Sequence, residues 1–185
     1  MQFPSEIRSH RLVLRRPVQA DAPAIFDGYA RDPEVLRHLS WRPHRSLAET
    51  QGHLDYFTAQ WATGERGAYV IDTAERTGVG GIDLRLGDEG RTVAVGYVLR
   101  RDHWGRGLMT EALGACIGVV MADPGVWRVW GHCDVENLAS ARVMEKAGMA
   151  FEGVLRRWAL HPNRDPVRPR DCRAYALVRE PAGRD

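Results

Sequence analysis

The sequence predicts an α/β (α+β) layer, a mixed and mostly antiparallel sheet of about seven strands with helices against it. Three observations carry the expectation. Alternating segments and segments of helical period follow one another as strand, helices, three strands, helix, strand, helix, two strands. The three central strands are separated only by short turns, the spacing of an antiparallel meander. Two strands then turn directly into helices, which places both turns at one edge of the sheet. The chain has 185 residues, enough for one hydrophobic core, and residues 1–185 read as a single domain.

The elements follow in order. Arg11–Arg16 alternates, with Leu12 and Leu14 between arginines, and is the first strand. Asp21 begins a helical pattern through Ile25, Phe26 and Tyr29, and Pro33 opens a second short helix. Ser46 and Glu49 form a capping box for a third, with Leu47, Leu54, Phe57 and Trp61 on one face. Strands follow at Ala68–Asp72, Gly78–Arg85 and Thr92–Leu99, the last two separated by Gly87-Asp88-Glu89-Gly90. The next helix buries Met109, Ala112, Leu113, Cys116, Ile117 and Val120. Trp127–Cys133 is a strand, and Asn137–Ala147 is a helix stopped by Gly148. Met149–Leu155 and Cys172–Val178 supply the last two strands, with His161–Arg170 as a long Pro/Arg-rich surface loop between them.

Composition narrows the function. Hydrophobic residues at 44% and charged residues at 27% exclude a disordered or fibrous chain. The longest apolar run, Ala115–Ala122, is far shorter than the roughly 20 residues a bilayer requires, so no membrane association is expected. Met1–His10 lacks the apolar region of a signal peptide. A net charge of +2 argues against a nucleic-acid partner. Cys116, Cys133 and Cys172 are widely spaced and odd in number, so neither a metal site nor a disulfide framework is encoded, which fits a cytoplasmic location.

The densest chemical signal is the strand–turn–helix at Val95–Ala115. Gly105 and Gly107 let backbone N–H groups converge, and the following helix N-terminus adds partial positive charge, so the turn suits a phosphate. Arg100, Arg101 and Arg106 flank it. The same glycines also serve a plain tight turn. The turn is not a P-loop, because Leu108 and Met109 stand where lysine and a hydroxyl residue belong. It is not a dinucleotide fingerprint, because Thr110 replaces the third glycine. The second signal is Asp134-Val135-Glu136-Asn137-Leu138-Ala139-Ser140. Asn137 is a helix cap by one reading and an amide facing a cleft by another, and Ser140 divides between backbone bonding and a presented hydroxyl.

Together, Gly96-Tyr97-Val98-Leu99, Trp104-Gly105-Arg106-Gly107-Leu108-Met109-Thr110-Glu111-Ala112-Leu113, Asn137-Leu138-Ala139-Ser140 and Glu145-Lys146-Ala147-Gly148-Met149 resemble the GNAT superfamily of N-acetyltransferases. The opening Arg11-Leu12-Val13-Leu14-Arg15 and the closing Arg170-Asp171-Cys172 extend the resemblance over essentially the whole chain, toward the ribosomal-protein N-terminal alanine and serine acetyltransferases. The resemblance implies helices on both faces of a sheet splayed between its fourth and fifth strands, with the cosubstrate acetyl-coenzyme A in the opening. Tyr97, Val98 and Leu99 would pair with the pantetheine amides. Gly105, Arg106, Gly107, Leu108, Met109 and Thr110 would hold the pyrophosphate through main-chain N–H groups, and Asn137 would bond the pantetheine arm.

The implied reaction is direct attack of a primary amine on the thioester in a ternary complex, with no metal. A backbone N–H near Val98 would stabilise the oxyanion, and the departing thiolate requires a proton. Many relatives carry a tyrosine acid seven residues after the asparagine, where this chain has Met144. The resembled subgroup often has serine at the Ser140 position, so the resemblance makes Ser140 the catalytic candidate, protonating the thiolate directly or through water. Trp104 and Met109 also depart from the common pattern, at positions whose contacts are largely main-chain. The base divides among Asp83, Asp134, Glu136 and Glu152 acting through a water chain, or no dedicated base for an amine that arrives deprotonated, while His103 and His132 are assigned no role. Trp41 and the His161–Arg170 segment would wall the acceptor, a protein N-terminus or a small-molecule amine, in a monomer or homodimer. The rival readings are a non-catalytic acyl-coenzyme A-binding regulatory module and a nucleotide-binding protein using the same turn.

Overall fold

The structure is a computed structural model that describes residues 2–180. Eight strands form one mixed sheet: β1 (Glu6–Arg8), β2 (Leu12–Arg15), β3 (Arg66–Thr73), β4 (Gly80–Gly87), β5 (Thr92–Leu99), β6 (Arg128–Asp134), β7 (Ala150–His161) and β8 (Asp165–Val178). They lie in the order β1-β2-β3-β4-β5-β6-β8-β7, antiparallel except for β5 and β6. β1 is the strand beyond the seven expected. Three residues are too few to show alternation, yet Ile7 and the nearby Phe3 are buried.

Four α-helices flank the sheet: α1 (Ala22–Ile25), α2 (Leu47–Thr63), α3 (Leu108–Ala122) and α4 (Leu138–Lys146). Alternation along β3 decides the layers. Tyr69 and Ile71 join the large core built with α3 and α4, whereas Val70 points the other way into a smaller core with Ile25, Tyr29 and Leu54 of the α1–α2 side. Helices therefore cover both faces. The expected apolar face of α3 is buried at every position, from Met109 to Val120.

The N-terminal helices depart from expectation. The helical path starts at Gln19 as a short 3₁₀ turn, and α1 widens into a π-helical turn at Phe26–Ala30. No helix follows Pro33. The segment 31–40 is a series of turns that nevertheless buries Leu36 fully. Ser46 caps α2 by accepting the Glu49 N–H at 3.4 Å, but the reciprocal carboxylate bond goes to the Arg45 N–H at 2.9 Å. Leu47 is exposed, so the buried stripe of α2 begins only at Thr50.

The expected surface loop at His161–Arg170 is instead a hairpin. β7 runs to His161 and β8 begins at Asp165, with a three-residue turn between. Over this stretch β8 pairs only with the edge strand β7, in irregular register, so Pro166 and Pro169 break no ladder on a second side.

Candidate active site

β5 is hydrogen-bonded to β4 along its whole length, from Thr92 to Leu99. Its parallel pairing with β6 covers only Thr92–Ala94 against Arg128–Trp130, and beyond Ala94 the two strands diverge. This is the splay expected between the fourth and fifth strands, shifted by one in numbering because of β1. Main-chain direction alternates along β5. Val98 turns its carbonyl toward β4, where a Cβ on Gly80 would meet it at 2.6 Å. Alternation then leaves Val95, Tyr97 and Leu99 with main-chain groups toward the gap. The Leu99 carbonyl is engaged by the Trp104 indole N–H at 2.7 Å, so Trp104 ties the end of β5 to the following turn.

The gap opens into a cavity of about 990 Å³. Tyr97, Val98, Leu99, Gly105, Gly107, Leu108, Met109, Thr110, Asn137 and Ser140 all line it; Arg106 does not, and of the candidate bases Asp83 and Glu136 do while Asp134 and Glu152 do not. Arg106 instead offers its carbonyl to Arg11 Nη1 at 3.0 Å. Arg100 pairs with Asp102 at 2.7 Å, and Arg101 reaches toward Asp32 at 3.6 Å. The guanidiniums of Arg100 and Arg101 are thus engaged elsewhere.

Gly105 and Gly107 both have φ of +73°, a region that glycine enters without a Cβ penalty. Gly107 precedes α3, whose first turn has no side-chain cap, so its leading N–H groups are open to an external acceptor. Glu111 anchors this helix end to the N-terminal strands, accepting Ser9 Oγ, Arg11 N and Arg11 Nε, each at 2.7 Å.

On the opposite lip, Asn137 caps α4 by accepting the Ser140 N–H on Oδ1 at 3.1 Å. Its amide nitrogen has no protein partner among the described residues, so the cap and the cleft-facing reading coexist. The Ser140 hydroxyl lies 2.8 Å from the Tyr97 phenol, which is also 3.1 Å from the Ser140 carbonyl. Burial raises the Tyr97 phenol above its ordinary value, and the Ser140 bond offsets part of that. Met144 is buried in the large core. Cys133 is a buried thiol pushed up to about 11 by burial.

Each candidate base is salt-bridged. Asp83 takes Arg66 Nε and Nη2 at 2.6 Å each, and Glu152 pairs with Arg128. Asp134 is fully buried at the end of β6 and binds Arg170, while Glu136 binds Arg164 and Arg170. Burial alone raises Asp134, but Arg170 and the Glu136 N–H outweigh it and hold the carboxyl below its ordinary value. Among the described residues, no group of three or more His, Cys, Asp or Glu side chains is arranged to hold a metal ion.

This gap, turn and capped helix agree with an independent match. Residues 11–150 match the family described as the acetyltransferase (GNAT) domain. The chain belongs to the GNAT acetyltransferases. It is an N-acetyltransferase, and among its relatives is the uncharacterized N-acetyltransferase YoaA of Bacillus subtilis, 29% identical over 94% of this chain and 96% of that one. Similar solved structures include RimL, the ribosomal L7/L12 alpha-N-protein acetyltransferase in complex with coenzyme A. It has a TM-score of 0.81 at 21% identity, covering 94% of this chain and 97% of that chain. The microcin C7 self-immunity acetyltransferase MccE, in complex with acetyl-CoA and AMP, has a TM-score of 0.85 at 17% identity, covering 95% and 97%.

The wall expected to face the acceptor was less legible in the sequence. Trp41 does line the cavity, in a ring cluster with His44 at 5.0 Å and His53 at 5.8 Å. Phe57 closes on His53 at 4.4 Å, and burial brings His53 down to about 4, so that ring is neutral. His38 also lines the cavity beside Asp134. No spacing in the sequence marks it, because its partner lies 96 residues away across the sheet.

Proposed function

We propose that the protein transfers the acetyl group of acetyl-coenzyme A to a primary amine by direct attack in a ternary complex. The observation that carries this is the gap beyond Ala94, where β5 has main-chain groups without a neighbour strand beside an uncapped α3 N-terminus. A carrier with amides along its arm and a diphosphate at its end matches both features. Residues Gly105–Thr110 hold the diphosphate by their N–H groups, and Arg106 contributes only main chain. Tyr97 and Leu99 offer main-chain partners to the arm, and Asn137 offers its free amide nitrogen. The N–H groups beside Val98 are donors for the oxyanion.

Ser140 supplies the proton that the departing thiolate needs, backed by the Tyr97 phenol at 2.8 Å. The missing tyrosine at Met144 is thereby replaced by one on β5, which favours turnover over a non-catalytic acyl-coenzyme A-binding module. A protein N-terminal α-amine is the acceptor class favoured, supported by the likeness to RimL. Three free, buried cysteines suit the cytoplasm.

The test is a thiol-release assay with acetyl-coenzyme A over N-terminal peptides and small amines, with mass detection of the product. Acetylated peptide supports the reading. Cosubstrate binding in a thermal-shift titration with no transfer to any amine overturns it in favour of the module.

A further inference from the structure

The salt-bridged carboxylates leave the reaction without an evident proton acceptor, and a histidine outside every sequence motif fills that place. His38 sits in the turns after α1. Its Nδ1 is buried, has no hydrogen-bond partner, and faces the fully buried Asp134 Oδ1 at 3.7 Å. Nε2 has no protein hydrogen bond among the described residues, and the ring lines the cavity. A ring with one nitrogen toward a buried carboxylate and the other toward the cleft is arranged to take a proton from the cleft. A distance of 3.7 Å is long for a hydrogen bond, but such contacts tighten when substrate closes the site.

The surroundings fix the ring where the reaction would occur. Asp134 ends β6 and leads directly into the α4 cap, accepting the Asn137 N–H on its carbonyl at 2.9 Å and the Glu136 N–H on Oδ1 at 2.9 Å. From the other side, the β7–β8 hairpin clamps the segment that carries His38. His161 Nδ1 donates to the His38 carbonyl at 2.7 Å, and Asn163 Nδ2 donates to the carbonyls of Leu36 and Trp41, both at 2.7 Å. His132 also lines the cavity, but it packs between Trp130 and Trp158.

We propose that His38, oriented by Asp134, is the general base that deprotonates the incoming ammonium. The assignment rests on the acetyl-transfer reading above. Nε2 takes one proton from the ammonium, and the nitrogen lone pair so freed forms the N–C bond to the thioester carbonyl. The C–S bond breaks as the oxyanion collapses, and the thiolate takes its proton from Ser140. The second nitrogen proton restores Ser140 through water and His38 gives its proton to solvent, so one net proton is released per amide formed. Burial lowers the His38 ring below its ordinary value; Asp134 raises it, and Arg164, Arg37 and His161 lower it. The ring is therefore neutral and receptive at pH 7, while Arg170 keeps Asp134 charged.

The experiment is the pH dependence of kcat/KM for a peptide whose α-amine ionises near about pH 8, with the wild type and His38→Gln. With the base in place, the wild-type rate is nearly flat from neutrality to the ionisation of the amine. Without it, only free amine reacts, so the rate climbs about tenfold per pH unit, as the free-amine fraction does. His38→Gln should therefore be slower by about 10²-fold near neutrality, with the deficit shrinking toward the amine's own ionisation and the melting temperature little changed. A variant as fast and as flat as the wild type overturns the assignment. So does a wild-type profile that itself climbs throughout, a result that needs no variant to fold. Absence of transfer by the wild type to any amine overturns the acetyl-transfer reading first, and the assignment with it.

Discussion

The phenol of Tyr97 and the hydroxyl of Ser140 lie 2.8 Å apart, joining β5 to the first turn of α4 across the open end of the sheet. The two residues are distant in sequence and sit on elements that share no ladder. The contact exists because the strands diverge enough to bring the helix start down to the strand. Ser140→Ala should lower kcat by about 10²-fold and leave the KM for acetyl-coenzyme A nearly unchanged. Tyr97→Phe should give a smaller loss, and the double variant should be no worse than Ser140→Ala alone. Additive losses in steady-state kinetics would show that the two hydroxyls act independently.

The turn before α3 makes a sharper demand on backbone than on space. At Gly107 a Cβ would have only Arg11 Nη2 nearby, at 3.7 Å, yet φ is +73°. Gly107→Val should cost about 1–3 kcal/mol through that strain and abolish the thermal shift produced by coenzyme A. Retention of the full shift would mean that the turn does not hold the diphosphate.

Asp134 is fully buried and Arg170 is its guanidinium partner. Arg170→Met leaves the carboxylate uncompensated and should destabilise the protein by about 3 kcal/mol at pH 7. The sign of the pH effect follows from the depressed carboxyl. Its stabilisation is present above the unfolded value, about 3.9, and fades as pH falls through the lower folded value. Denaturant melts of the two proteins should accordingly converge on acidification.

On the proposed reading, Asn163 serves the acceptor end and not the coenzyme A end. Its single amide nitrogen holds the Leu36 and Trp41 carbonyls, and so holds the segment between them. Asn163→Ala should raise the KM for the amine several-fold while the coenzyme A thermal shift stays as in the wild type. Equal weakening of both ligands would mean that the clamp supports the whole cavity.

The sequence was legible where one element carries its own signal. β5 has the expected ends, Thr92 and Leu99, and α3 buries the expected face, because period alone determines both. Asn137 and Gly148 mark α4 by local chemistry, a side-chain cap and a left-handed glycine. Illegibility began where a neighbour decides. Pro33 has the look of a helix start, but the burial of Leu36 and the Asn163 bonds favour turns. Prolines in His161–Arg170 argued for a loop because nothing local tells an edge hairpin from one. The pairing of Tyr97 with Ser140 and the approach of His38 to Asp134 both depend on the splay, which no local pattern encodes.

Five strands on one side and three on the other meet along only three residue pairs, Thr92–Ala94 with Arg128–Trp130. Such a seam resists prying weakly, so the arm of a bound carrier, lying against β5 in the breach, would act as mortar between two slabs. Occupancy would then stiffen the whole molecule, and the amides of Val95, Tyr97 and Leu99, which face the gap, would exchange hydrogen with solvent more slowly than in the empty protein.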